Sequence, residues 1–173
     1  MCAGSCSHLS SAIYISCISR RKEKPMDTYH CEGYNHSTGS TDHGPRPFSA
    51  HIMCAAKYNQ NFRTAFWTGT NLQMTLMCIP SCGDIGLEVH PDTDQFIRVE
   101  AGAALVHMGN GKDCLNTQVK LCEGDGLFVP CDTWHNIINI GHCPLKLSSI
   151  YAPPHHPAGT VHRTKADSER SDY

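Results

Sequence analysis

The feature that most constrains this chain is a succession of short strand-like segments at close, regular intervals. They cover residues 72–79, 86–90, 95–99, 104–108, 117–122, 126–129, 136–140 and 145–151. Turn-forming residues separate them, and Asn110 followed by Gly111 is typical of a type I′ hairpin turn. This pattern predicts an all-β fold, an antiparallel sandwich or barrel.

The length of 173 residues accommodates one compact domain with tails. Residues 1–45 are rich in small and polar residues without a sustained period, which predicts a poorly ordered N-terminal extension. Ser49 is predicted to cap a short N-terminal helix over residues 50–57. The barrel itself is expected to span residues 46–153, and the polar, proline-rich residues 154–173 to form a disordered C-terminal tail over it.

Charge and cysteine content exclude several classes of protein. The formal net charge is −2, without a basic stripe, which argues against nucleic acid as a partner. The apolar residues 9–18 are too short to span a bilayer and do not resemble a secretion signal, so no membrane partner is expected. The 11 cysteines are scattered and lack a CxxC pair, which favours mostly reduced thiols in a cytoplasmic protein.

Two short stretches concentrate groups that bind metals. Glu88 and His90 lie two residues apart, so they point to one face of a strand, and Gln95 follows after a turn. His135 follows a second turn that begins at Pro130. Together these side chains offer two imidazoles, one carboxylate and one amide oxygen. Alternatively, the first three are ordinary polar residues on the solvent face of a strand.

The spacing of these residues resembles the two sequence motifs of the cupin superfamily. The first motif appears as Glu88-x-His90-x4-Gln95-x6-Gly102. The second appears as Gly124-x5-Pro130-x-Asp132-x2-His135-x3-Asn139. With its flanking segments, the resemblance covers residues 46–165 and is closest to small cupins similar to mannose-6-phosphate isomerase. It implies a double-stranded antiparallel β-helix, a jelly-roll-like barrel, with one divalent metal ion on Glu88, His90, Gln95 and His135.

Three departures from the cupin pattern involve four positions. Glu88 stands where the family usually has its first histidine, and Gln95 where it usually has glutamate, so the number of carboxylates stays at one. Cys82 replaces the leading glycine, and Asp132 replaces a turn glycine; aspartate tolerates a left-handed backbone, so that turn can still form. Zn, Fe, Mn and Ni suit this donor set equally well.

Other residues are weaker candidates for the site. Tyr151 could line the pocket, and the pair His155 and His156 could reach the barrel mouth, although a surface tail is the simpler interpretation. Trp67 and Trp134 are more typical of packing. A phosphate anchor could come from Lys57, Arg63 or Lys165, and Arg98 is expected on the outer face.

The resemblance leaves the function open, because one cupin barrel hosts many activities. The leading hypothesis is a metal-dependent enzyme on a small polar or anionic substrate, with sugar-phosphate isomerisation as the first subtype. No catalytic base is assigned, because neither motif leaves a carboxylate or lysine spare. The alternatives are a non-catalytic module that binds or senses a small ligand, and an iron-dependent oxygenase. A homodimer is expected through strands that carry Phe96 and Val106.

Overall fold

The computed structural model of the protein describes residues 42–171. The helices in this range are α1 (Ile52–Tyr58) and α2 (Lys165–Ser171). The strands are β1 (Arg63–Thr68), β2 (Gln73–Ile79), β3 (Asp94–Ala101), β4 (Ala103–Gly109), β5 (Thr117–Cys122), β6 (Gly126–Val129), β7 (Trp134–Asn139), β8 (Leu145–Ala152) and β9 (Val161–His162). The predicted extension over residues 1–41 lies outside the described residues.

The strands form two antiparallel sheets, as the sequence predicts. One sheet has the order β6-β3-β8-β2-β1-β9 and the other the order β5-β4-β7. Apolar side chains of both sheets share one core; Ile97 and Leu147 come from the first sheet, Val106 and Ile137 from the second. Val106 is fully buried there, so the prediction that it lies on an exposed strand is wrong.

The buried side chains on the core face of the larger sheet change from polar to aliphatic along the strands. Register partners on β3, β8 and β2 form rows of buried side chains on the core face. These rows are Gln95, Tyr151 and Gln73; then Ile97, Ser149 and Thr75; then Val99, Leu147 and Met77. Polar groups are therefore concentrated at one end of the interior, and aliphatic side chains fill the other.

Helix α1 packs against β2, β3 and β8. Its buried residues are the small Cys54, Ala55 and Ala56, which allow the helix to lie close to the sheet. The N-cap is His51, whose Nδ1 accepts from the backbone N–H of Cys54 at 3.4 Å, so the prediction of Ser49 as the cap is wrong. A histidine nitrogen replaces the hydroxyl acceptor that caps usually provide.

The C-terminal segment is more ordered than its composition indicates. Strand β9 pairs with β1 through Thr64 and Val161, and extends the larger sheet by one short strand. Helix α2 follows, and its Ser168 is 5% exposed and contacts the buried Arg63. This finding corrects the predicted disordered tail for the described residues after 153. A strand of two residues has too few positions to show an alternating pattern, so the sequence does not reveal it.

The N-terminal boundary of the folded part also differs from the prediction. Asp42 lies within the predicted extension, but its carboxylate accepts from the backbone N–H groups of Gly44 at 3.0 Å, Thr68 at 2.9 Å and Gly159 at 2.9 Å. It also accepts from the Thr68 hydroxyl at 2.6 Å. One side chain thus ties the start of the described chain to β1 and to the C-terminal loop.

Five of the seven cysteines within residues 42–171 are free thiols, as the sequence predicts. Cys54 and Cys122 each take part in a disulfide bond, which the scattered spacing of the cysteines did not indicate. No helix within the described part of the chain is long and apolar enough to cross a membrane.

Candidate metal centre

A backbone bridge brings the two ligand-bearing stretches together. Glu88 and His135 are bridge partners, and each donates its backbone N–H to the other's carbonyl, at 3.0 and 2.9 Å. The backbone N–H of Asp132 donates to the carbonyl of His90 at 2.9 Å. Residues 86–90 form no named strand, contrary to the prediction, but these few bonds hold Glu88 and His90 beside the start of β7.

Turns with a left-handed backbone frame both stretches. Cys82 has φ of 60° and Asp132 has φ of 58°. These are two of the positions where the chain departs from the glycines of the cupin motifs. Cys82 and Asp132 therefore both keep the left-handed backbone that usually favours glycine. The expectation that Asp132 can still form its turn is confirmed.

The side chains of Glu88, His90 and His135 converge. Glu88 Oε1 lies 3.4 Å from His90 Nε2 and 3.4 Å from His135 Nε2. One ligand atom from each residue lies within 4.8 Å of the other two. Both imidazoles are buried, and Glu88 is 22% exposed. Three of the four predicted ligands therefore form one cluster that could hold a metal ion.

Gln95 lies on the same interior, in the first polar row. Its Nε2 donates to Ser149 Oγ at 2.8 Å, which fixes the orientation of the amide. Its Oε1 is buried and makes no hydrogen bond. The amide oxygen is thus available as a fourth ligand, and that role remains a prediction.

The tautomer of His135 is set by its own turn. Nδ1 lies 2.9 Å from the carbonyl oxygen of Thr133. A carbonyl can only accept, so in the neutral ring Nδ1 carries the hydrogen and Nε2 keeps its lone pair. Nε2 then faces another acceptor, Glu88 Oε1. A cation between the two atoms satisfies both, and a second partner on Nδ1 is the usual arrangement of a metal-bound histidine.

The cluster contains buried polar atoms that a metal ion could satisfy. One buried atom from each predicted ligand finds no hydrogen-bond partner among the described residues: Glu88 Oε1, His90 Nε2, Gln95 Oε1 and His135 Nε2. Buried polar atoms without partners destabilise a fold unless something else satisfies them. Two nitrogens with one or two oxygens form a donor set of intermediate softness, which suits Zn, Fe, Mn and Ni.

Arg63 is the charged neighbour of this cluster. Its side chain is 2% exposed, and Nη2 lies 3.7 Å from Glu88 Oε2. The pKa of the Glu88 carboxyl lies well below its usual range; burial acts to raise it, and the positive charge of Arg63 is among the influences that lower it. Glu88 is therefore a carboxylate at neutral pH.

Of the three suggested phosphate anchors, only Arg63 contacts the cluster. Lys57 forms an exposed pair with Glu123 at 3.3 Å. Lys165 pairs with Asp84. The sequence offered no means of choosing among the three, because Arg63 belongs to β1, which the strand pattern did not predict.

Three aromatic rings cover His90 and its surroundings. The His155 ring centroid lies 4.1 Å from that of His90, and the Tyr151 centroid 5.6 Å. His156 meets Tyr151 edge-on at 5.2 Å. The histidine pair therefore lies at the site rather than on a surface tail, and Tyr151 lines the same interior.

The tryptophans and Arg98 lie outside this cluster. Trp67 donates from Nε1 to the carbonyl of Arg46 at 2.9 Å, which indicates a structural role. Arg98 is 42% exposed and pairs with Glu100. Trp134 is half-buried at the start of β7.

Comparison with known proteins agrees with this description. A model of the cupin domain matches residues 75–151. The chain is 55% identical over 127 residues to YrkC, an uncharacterized protein of Bacillus subtilis, covering 73% of this chain and 68% of that protein. Among crystal structures, it is 54% identical to BH2720 of Bacillus halodurans, with a TM-score of 0.74 over 75% of this chain and 98% of that one.

A more distant structure shows the same fold. TT1209 of Thermus thermophilus is 19% identical, with a TM-score of 0.52 over 61% of this chain and 96% of that chain. The strand order, the two sequence motifs and these matches agree, and this chain belongs to the cupin superfamily.

Proposed function

We propose that this protein is a metal-dependent cupin that holds a small, polar, anionic ligand at the polar end of its barrel. The observation that carries the proposal is the set of buried, unbonded ligand atoms on Glu88, His90, Gln95 and His135. A divalent ion bound there would supply a positive charge that polarises carbonyl and hydroxyl oxygens. The buried Arg63 adds a second positive charge beside Glu88 and favours an anionic ligand.

The leading subtype is isomerisation of a sugar phosphate, which the resemblance to mannose-6-phosphate isomerase-like cupins implies. Such a reaction needs a group that moves a proton between neighbouring carbons. The side chains next to the cluster that could do so are Tyr151, His155 and His156. None is a carboxylate, so the chemistry would differ from a carboxylate-based isomerase.

A second candidate is a binding or sensing module without turnover. Burial raises the pKa of Tyr151, and burial together with Arg63 lowers the pKa of His156 to about 2. A general base works best with a pKa near the working pH. Tyr151 and His156 do not meet that condition, and of the three side chains only His155 remains as a candidate base. This supports recognition without turnover as the second candidate.

Elemental analysis of the untagged full chain tests the metal. We expect about one divalent ion per chain and loss of most of it in His135→Ala, which removes a nitrogen donor. His142→Ala is the matched control, because His142 is an exposed histidine in the loop between β7 and β8. A parent protein without metal, or equal metal in both variants, would contradict the proposal. Iron with oxygen uptake would favour the oxygenase alternative.

Incubation of the metal-loaded protein with mannose 6-phosphate in deuterated water tests the subtype. Isomerisation would produce fructose 6-phosphate that carries deuterium at carbon 1, and the reverse reaction would place deuterium at carbon 2 of the mannose 6-phosphate; both are visible by NMR. Bound metal without deuterium incorporation and without fructose 6-phosphate would favour the module that binds a ligand without turnover.

A further inference from the structure

Arg63 has a buried N–H available for a ligand, because nothing within residues 42–171 accepts from its Nε. Its Nη1 donates to Ser168 Oγ at 2.6 Å, and its Nη2 lies beside Glu88 Oε2. Its Nε is buried and has no acceptor. A guanidinium that is nearly inaccessible to water loses free energy for each N–H without a partner. Contacts with Ser168 and Glu88 hold the head group, so the position of Nε is set before any ligand arrives.

His156 has one acceptor left for a ligand. Gln73, which is fully buried, donates to the carbonyl of His156 at 2.8 Å and accepts from its backbone N–H at 2.9 Å. The backbone of His156 is thereby fixed, and the ring packs edge-on against Tyr151. Nε2 is buried and has no partner. Since the low pKa keeps the ring neutral, this side chain can accept a hydrogen bond through a ring nitrogen.

The two groups belong to the same polar region. The charges of Arg63 and Glu88 both affect the pKa values of His156 and Tyr151. Thr75, in the second row of the interior, adds a buried hydroxyl without a partner. One donor and two groups that can accept hydrogen bonds therefore lie in the polar interior that also holds Glu88.

We propose that Arg63 Nε and His156 Nε2 recognise a polyhydroxylated organic anion, whose charged group accepts from Arg63 and one of whose hydroxyls donates to His156. This inference rests on the proposed function and narrows its ligand class. A carboxylate and a phosphate can both accept from a guanidinium, and the experiment distinguishes them. A divalent ion, one carboxylate and one guanidinium leave a net positive charge, which disfavours a neutral polyol.

Calorimetric titration of the metal-loaded full chain provides the test. The probes are gluconate, glucose 6-phosphate, sorbitol and hexanoate. Sorbitol has the hydroxyls without the anion, and hexanoate has the anion without the hydroxyls. We expect gluconate or glucose 6-phosphate to bind at least about tenfold more tightly than either control, and the tighter of the two identifies the anionic group.

Two variants assign the contacts. His156→Phe keeps the ring packing on Tyr151 and removes Nε2, and should weaken binding of the anion about tenfold while metal content stays unchanged. His142→Phe is the matched control. Arg63→Lys keeps the charge and removes the Nε donor, and should weaken binding similarly. If Arg63→Lys does not fold, His156→Phe decides the matter alone.

Several results would overturn the inference. Sorbitol or hexanoate binding as tightly as both hydroxylated anions would do so, and so would equal affinity in His156→Phe and the parent. A parent that holds no metal but binds gluconate through His156 would reject the metal-dependent function and keep the recognition. A parent that holds metal but does not bind the anions would reject the recognition and keep the metal-dependent function.

Discussion

At the scale of single residues, the exchange of Glu88 and Gln95 relative to the usual cupin pattern can be tested directly. Glu88→Gln removes the only carboxylate of the cluster and should weaken metal binding by at least about tenfold. A loss of about tenfold is the smallest usually seen even when the mutated residue only orients a metal ligand. Gln95→Glu restores the usual family ligand and should hold metal at least as tightly as the parent. Competition with a chelator measures both affinities.

The double variant Glu88→Gln with Gln95→Glu is the matched control for this pair, because it keeps one carboxylate. It should bind metal more tightly than Glu88→Gln alone. If Gln95→Glu loses metal while Glu88→Gln keeps it, Glu88 is not a ligand and the assignment of the cluster is wrong.

The carboxylate of Asp42 gives a pH-dependent prediction. Burial acts to raise the pKa of Asp42, but hydrogen bonds from Thr68, Gly44 and Gly159 outweigh it and lower the pKa below its ordinary value of 3.8. A depressed pKa contributes stability above the unfolded-state value, and this contribution disappears as the pH falls through the folded-state value.

We therefore expect Asp42→Asn to lower the free energy of unfolding by about 2 kcal/mol at pH 7. The difference from the parent should stay constant down to about pH 5 and shrink below about pH 4. Urea unfolding across this range measures it. A difference that grows toward acid pH would contradict the assigned direction.

At the scale of elements, the strands with a clear alternating pattern were the easiest to predict. The bounds of β5 and β6 agree with the sequence analysis, and β2 and β8 differ by one residue. Strand β1 was missed because four consecutive residues from Arg63 are buried, which hides the period of two. The connection from β4 to β5 spans residues 110–116 and includes a bridge between Gly111 and Cys114, so the Asn110-Gly111 turn does not join the strands directly.

The site was only partly accessible to sequence analysis for a related reason. Motif spacing located Glu88, His90 and His135, because each follows a short turn of defined length. The positions of Arg63 and His156 depend on β1 and on the C-terminal loop, which are distant in sequence from both motifs. Only the register of the larger sheet brings them to the same end of the barrel.

The contact between Gln73 and the C-terminal loop provides a prediction for an element. Gln73→Met keeps the volume of the buried side chain but leaves the N–H and carbonyl of His156 without partners. We expect the amide of His156 to exchange with solvent at least about tenfold faster, since each lost bond is worth about 1 kcal/mol. Hydrogen exchange by NMR measures this rate. Gln118→Met, at an exposed position of β5, is the control and should leave it unchanged.

At the scale of the whole molecule, we propose one specific face for the expected homodimer. Phe128 on the edge strand β6 is 78% exposed, and its ring lies 4.8 Å from that of Phe96. An exposed phenylalanine that packs on a half-buried one is typical of an interface. Val106 no longer supports the dimer, because it is buried in the core.

We expect sedimentation equilibrium to give twice the chain mass of 19.0 kDa. Phe128→Ser should raise the dissociation constant at least about tenfold, as loss of an aromatic interface residue commonly does. Phe48→Ser, at an exposed phenylalanine elsewhere, should not. A parent that sediments at the mass of one chain would contradict the assignment.

The division of the barrel interior into a polar and an apolar end has a consequence for directed evolution of this protein. Buried polar atoms without partners lower the stability of the barrel, so replacing them with apolar groups of similar shape should raise its melting temperature. A screen for thermostability alone would therefore recover changes at Thr75, Tyr151 or Gln95, and these changes would weaken the proposed binding of metal and ligand in the same interior. The same screen should yield few stabilising changes at the aliphatic end, because those side chains already pack together in the apolar core.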